Sequence, residues 1–120
     1  MSSNNGVHLH LFGIKNCDSC RNATKWLEAR KVPFTFHDFR VEELSEELLK
    51  SWLDTAHAPN LLNRRSTSWR NLSDGEKQQA ETGLLDLLLA HPTLIKRPVI
   101  TDGQAILDIG FSPDRLEDYI

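Results

Sequence analysis

Two stretches of alternating apolar and polar residues, Val7-His8-Leu9-His10-Leu11-Phe12 and Phe34-Thr35-Phe36-His37-Asp38-Phe39, flank a single segment of helical periodicity. Alternation with a period of two marks a strand with one buried face, whereas Ala23, Trp26, Leu27 and Arg30 follow helical spacing from Asp18 to about Arg30. Lys31-Val32-Pro33 is expected to stop that helix, since proline offers no N–H and clashes with the preceding turn. If the helix is a crossover, the two strands are parallel and the connection right-handed, so the chain is predicted to begin with a βαβ unit.

The middle of the chain reads as mostly helical. Ser45 to Leu53 opens with a serine cap and carries apolar residues at helical spacing. Pro59 to Asn63 and Arg64 to Arg70 read as a polar, basic connection. Ser73-Asp74-Gly75-Glu76 looks like the cap of a helix running to about Glu81, and Thr82 is expected to cap the leucine-rich helix from Leu84 to Leu89, which ends at His91-Pro92. Arg97 to Thr101 and Gln104 to Ile109 form a predicted hairpin with Asp102-Gly103 as its two-residue turn, and a last helix starts at Ser112 or Pro113. The order β-α-β, helices, β-β, α is that of a thioredoxin-like α/β fold. A four-stranded mixed sheet is expected, interrupted by a helical insertion at about residues 44–91, within one domain spanning 1–120. At 120 residues the chain is long enough to bury a core without staples.

Cys17 and Cys20, the chain's only cysteines, fall in the loop that ends the first strand and opens the first helix. Unpaired N–H groups and the helix dipole favour a thiolate there, where a free thiol of pKa about 8.5 would be only a few per cent ionised. Cys20 shares the apolar helix side with Ala23 and Leu27, so it should be the sheltered sulfur and Cys17 the exposed one. Two other readings stay open: inert packing cysteines, and half of a zinc site completed by His8 and His10. Lys15 and Arg21 flank the pair. In the redox reading Cys17 attacks a disulfide, Cys20 resolves the mixed species, and an external thiol restores the dithiol. Arg97-Pro98 stands where a thioredoxin-like fold puts a cis proline facing the active-site loop, which would carry the Arg97 guanidinium close to Cys17. Arg64, Arg65 and Arg70, with Trp69 among them, read either as a solvated face or as an anion- or peptide-binding rim.

Composition narrows the setting. A net charge of −3 argues against a protein driven onto nucleic acid by phosphate neutralisation. No apolar run approaches membrane-spanning length, and Met1 to Gly6 does not resemble a secretion signal, so a cytoplasmic location is expected. In that reducing compartment a functional, transient disulfide is favoured over a structural one. The absence of a heptad favours a monomer.

Several segments, weak singly and specific in this order, carry a resemblance over nearly the whole chain. They are Leu11-Phe12-Gly13-Ile14-Lys15-Asn16-Cys17-Asp18, Ala23-Thr24-Lys25-Trp26-Leu27-Glu28, Phe36-His37-Asp38-Phe39-Arg40, Leu61-Leu62-Asn63 with Arg65 to Arg70, His91-Pro92 with Ile95-Lys96-Arg97-Pro98, and Gly110-Phe111-Ser112. The chain resembles the arsenate reductase (ArsC) family, in its Spx/YffB-like branch. The resemblance implies a thioredoxin-like domain with a helical insertion, Cys17 as nucleophile, and Arg97 as the arginine preceding the active-site proline. It also implies a glutathione-dependent thiol reductase with no bound cofactor. Lys15, Asn16, Asn63, Arg65 and Pro98 are then expected to contact glutathione or a small disulfide, and glutaredoxin or thioredoxin is a candidate protein partner. Arsenate reductases of the family hold the oxyanion with three arginines. Here Asn63 stands in one of those places, Gly110-Phe111 has no arginine beside it, and only Arg97 carries over. The Cys-Asp-Ser-Cys-Arg run resembles that of the Spx regulators, which use such a pair as a redox switch and bind the RNA polymerase α subunit; many YffB-like proteins lack the second cysteine.

Overall fold

The computed structural model describes residues 8–120, so Val7 at the start of the expected first strand lies outside the described residues. The elements in chain order are β1 (Leu9–Gly13), α1 (Asp18–Ala29), β2 (Phe34–Asp38), α2 (Glu46–Leu53), α3 (Thr67–Arg70), α4 (Asp74–Thr82), α5 (Leu84–Ala90), β3 (Val99–Thr101), β4 (Ile106–Ile109) and α6 (Pro113–Leu116). Single 3₁₀ turns at Ala58–Asn60, Pro92–Leu94 and Glu117–Tyr119 complete them.

The sheet has four strands in the order β2-β1-β3-β4, with β1 parallel to β2 and antiparallel to β3, and β3 antiparallel to β4. This is the thioredoxin-like mixed sheet that the element order predicts. Alternation in β1 sends Leu9 and Leu11 to the face covered by α1, where they are fully buried with Ala23, Leu27, Ile100 and Leu116. Phe34, Phe36 and Trp26 border that core, so apolar burial accounts for the docking of α1 and α6 on one side of the sheet.

By its internal packing the chain divides into two compact units: residues up to Glu42 together with Arg97–Ile120, and Glu43–Lys96. In the second unit α2 and α4 pack on α5, and Leu49, Trp52, Leu61, Leu87, Leu88, Leu94 and Ile95 are among its buried residues. Ser45 accepts from the Leu48 N–H at 3.2 Å, and Ser73 and Glu76 form a reciprocal capping box at α4. Within this unit the Leu61–Asn63 segment is tied to the C-terminal end by the Asn63 N–H on the Leu94 carbonyl and the Lys96 N–H on the Leu61 carbonyl, both 2.8 Å.

Three sequence expectations are corrected by side-chain and backbone geometry. Thr82 does not cap α5: it is the last residue of α4 and its hydroxyl donates back to the Gln78 carbonyl, leaving Gly83 as the junction. Asp102-Gly103 is not a two-residue turn, because the Asp102 carboxylate captures the amides of Gln104 (2.9 Å) and Ala105 (2.8 Å) and delays the second strand to Ile106. The Arg64–Arg70 connection contains α3, capped by Ser66 but too short to show periodicity. Helix α1 ends at Lys31-Val32-Pro33 as expected, where Lys31 adopts a left-handed φ of 58° and the Val32 N–H reaches back to the Leu27 carbonyl at 3.0 Å.

Candidate active site

Strand β1 ends at Gly13, and the Cys17 N–H donates to the Ile14 carbonyl at 3.1 Å, closing a tight turn with Lys15 and Asn16 at its corners. Cys17 thereby becomes the N-cap residue of α1, in extended conformation, and its carbonyl receives the Arg21 N–H at 2.9 Å. The 12-residue helix points its amino end at the cysteine loop. Both cysteines are free thiols; Cys17 is half-buried and Cys20 fully buried beside Ala23 and Leu27.

The two thiols are displaced in opposite directions. Burial pushes the Cys17 thiol up, but the backbone N–H and thiol of Cys20, the Ser19 N–H and the Arg97 guanidinium together bring it below the ordinary cysteine value. For Cys20 burial dominates, and the charge and hydrogen bond of Cys17 add to it against the Ile14 backbone and Arg97, so its pKa is pushed up to about 12. Arg97 is half-buried, precedes a cis peptide bond to buried Pro98, and acts on both sulfurs. The Pro98 carbonyl is occupied by the Gly110 N–H at 2.8 Å.

The remaining expected residues divide. Lys15 enters through its backbone, donating its N–H to the Asp38 carboxylate at 3.0 Å, and Asn16 is exposed at the turn. Arg21 is turned to Asp18 in an exposed ion pair. Asn63 and Arg65 belong to the Glu43–Lys96 unit, where the Asn63 side-chain oxygen accepts from the Arg65 N–H at 3.0 Å. The zinc alternative needed His8 and His10 at the sulfurs. Instead His8 bonds Thr35 at 2.7 Å and His10 bonds His37 at 3.0 Å, and among the described residues no three histidine, cysteine or acidic side chains are grouped to hold a metal ion.

Two residues of the site were not singled out from the sequence. Gly13 lies against the Cys20 sulfur, and Asp38 holds the cysteine loop from the end of β2. Both sit inside segments that carry the family resemblance, but neither has a chemistry that its sequence neighbours reveal. A cavity of about 200 Å³ opens beside Cys20 between α1 and β2, with Lys15, Arg21, Thr24, Phe34 and Phe36 in its walls. Among the described residues no helix is long and apolar enough to cross a membrane.

Comparison with known proteins agrees with this geometry. The global transcriptional regulator Spx 1 of Lactococcus lactis is 30% identical over 114 residues, spanning 93% of this chain and 88% of that protein. The solved structure of a YFFB protein superposes with a TM-score of 0.84 at 36% identity, covering 92% of this chain and 97% of the other. The solution structure of an arsenate reductase (ArsC) related protein from Brucella melitensis gives a TM-score of 0.71 at 36% identity, with 95% of each chain covered. The ArsC family model itself matches residues 12–119, from the end of β1 through the cysteine loop, the cis proline and α6, and on that evidence this chain belongs to the ArsC family.

Proposed function

We propose that the chain is a thiol–disulfide oxidoreductase in which Cys17 is the nucleophile, Cys20 the resolving thiol and glutathione the electron donor. The observation that carries this reading is the pair of free thiols at the N-terminus of α1, Cys17 half-buried at the N-cap and Cys20 fully buried behind it, an arrangement that displaces the two thiols in opposite directions and separates an attacking sulfur from one held in reserve. The Cys17 thiolate attacks one sulfur of a disulfide R–S–S–R′; a Cys17–S–S–R bond forms, the original S–S bond breaks, and R′S⁻ leaves to take a proton from water. Two of the causes that raise Cys20, the charge and the hydrogen bond of Cys17, vanish in that mixed disulfide, so Cys20 becomes easier to ionise at the step that needs it. Cys20 loses its proton to solvent and attacks the Cys17 sulfur, closing an internal disulfide and releasing RS⁻. One glutathione thiolate then reopens the pair as a mixed disulfide and a second departs with it as oxidised glutathione. The balance is one disulfide reduced by two electrons and two glutathiones oxidised.

In this reading Lys15, Asn16 and Pro98 contact the thiol substrate, glutaredoxin or thioredoxin is the protein partner, and the chain works as a cytoplasmic monomer. Intact-mass analysis after incubation with oxidised glutathione tests it. Cys20→Ser should trap a glutathione adduct on Cys17, whereas the wild type should close to an internal disulfide that glutathione reopens. Lack of reaction at either cysteine would remove the thiol reading altogether.

A second reading is favoured by the likeness to Spx regulators together with the paired cysteines: a redox switch that binds the RNA polymerase α subunit and does not turn over. Affinity for that subunit that changes between the dithiol and disulfide forms, without glutathione-dependent turnover, would decide for it. Arsenate reduction is the third, and with only Arg97 of the family's oxyanion arginines in place we expect no arsenate-dependent consumption of NADPH in the presence of glutathione and glutaredoxin.

A further inference from the structure

We propose that Asp38 is a positioning residue for Cys17, holding the turn that presents this thiol to the N-terminus of α1. Asp38 is only 9% exposed and closes β2 directly opposite Gly13 at the end of β1. Its two carboxylate oxygens are divided between two backbone donors: Oδ2 takes the Lys15 N–H at 3.0 Å and Oδ1 the Arg40 N–H at 2.8 Å. The first bond reaches from β2 into the cysteine turn, and the second is local. The Phe39 N–H on the Gly13 carbonyl, at 2.8 Å, joins the same two strand ends at the backbone. Lys15 is the first corner of the turn that the Cys17 N–H closes on Ile14, so Asp38 fixes the corner two residues from the sulfur.

The chemistry of the site makes this anchoring matter. The Cys17 thiol is brought below its ordinary value by donors of fixed position, against the effect of burial, and the worth of a hydrogen bond falls steeply with misalignment. A turn released from β2 lets the sulfur drift from the Ser19 and Cys20 amides. Aspartate suits the task because a carboxylate only accepts, on both oxygens. Asparagine has a single acceptor oxygen and favours the local bond to the amide two residues on, so Asp38→Asn should keep Arg40 and release Lys15.

The role rests on Cys17 being the reacting thiol, but its test needs no turnover. The pH profile of Cys17 alkylation by iodoacetamide would be compared between wild type and Asp38→Asn, with exchange of the Lys15 amide followed by NMR. We expect the inflection to move up and the rate at pH 7 to fall about tenfold, the equivalent of one pKa unit, with Lys15 losing its protection. Superimposable alkylation profiles in a folded Asp38→Asn protein would overturn the proposal. Should that variant not fold, the wild-type Lys15 amide decides, since exchange at the rate of an unstructured chain means that Asp38 does not hold it. Absence of reductase turnover in the wild type would instead strike the reductase reading and leave the positioning role intact.

Discussion

A Cβ built on Gly13 would overlap the Sγ of Cys20, so the buried sulfur fills the space that a side chain at the strand end would need. The Cβ and Cγ of Arg97 lie 3.6 and 3.8 Å from the same point. The glycine thus lets the cysteine helix and the Arg97 side chain approach the end of β1 together.

Gly13→Ala is therefore expected to displace Cys20, which is buried and has a single side-chain torsion with which to yield. Overpacking of this kind destabilises by about 1–3 kcal/mol. Denaturant unfolding should show that loss, and closure of the internal disulfide under oxidised glutathione should slow because Cys20 no longer rests beside Cys17.

The opposed thiols give a labelling pattern. Cys17, lowered by its amide donors and Arg97 against the effect of burial, should alkylate with an inflection below that of an unfolded cysteine. Cys20, raised to about 12, should stay unlabelled at neutral pH until the protein is denatured. The two shifts act on stability in opposite pH ranges. A depressed Cys17 contributes stability that is full above its unfolded pKa and is lost as pH falls through the folded value. The raised Cys20 contributes below its unfolded pKa and loses that contribution as pH rises toward 12. Mass spectrometry of native and denatured protein would check the labelling; two labels on the native protein at pH 7 would contradict it.

Arg97→Ala removes a side-chain cation that favours both thiolates. Cys17 alkylation at pH 7 is expected to slow by about threefold to tenfold, with Arg97→Lys recovering part of the loss because charge is kept while the planar fork is not. Raised ionic strength should narrow the difference between wild type and Arg97→Ala. Stopped-flow alkylation at two salt concentrations measures both effects.

Lys31 bears a left-handed backbone at the end of α1, a conformation that disfavours any side chain with a Cβ. Lys31→Gly should stabilise by about 0.5–1 kcal/mol while preserving the 3.0 Å Val32-to-Leu27 bond that ends the helix. Thermal unfolding would register this as a rise of about 2–5 °C. A fall in melting temperature would show that the Lys31 side chain contributes more than its backbone strain removes.

The correspondence between sequence and structure tracks the range of the interactions involved. Alternation in β1, the 3.6-residue spacing in α1 and the serine caps of α2 and α4 were all legible, because each rests on neighbours within a turn or a strand, while the place of Arg97-Pro98 followed from the order of elements. Failures came where a polar side chain had a choice of partner. Thr82 bonded backward into its own helix, and Asp102 took two amides beyond the expected turn. Periodicity does not rank such alternatives, since they are close in energy.

By itself the sequence determined the thioredoxin-like order of elements, the cysteine pair at a strand–helix junction, and the more sheltered position of Cys20. Those come from local patterning, where apolar period and capping chemistry leave few options. The tertiary structure alone decided which groups set the chemistry of the sulfurs. Of the cations near Cys17 in sequence, Arg21 turns to Asp18 and Lys15 contributes its amide to Asp38, while the guanidinium that acts on the thiols comes from Arg97, far along the chain. Gly13 and Asp38 acquire their roles the same way, through strand pairing that brings distant residues to one end of the sheet. Burial and electrostatic field depend on what surrounds an atom in space, and only the folded chain specifies that environment.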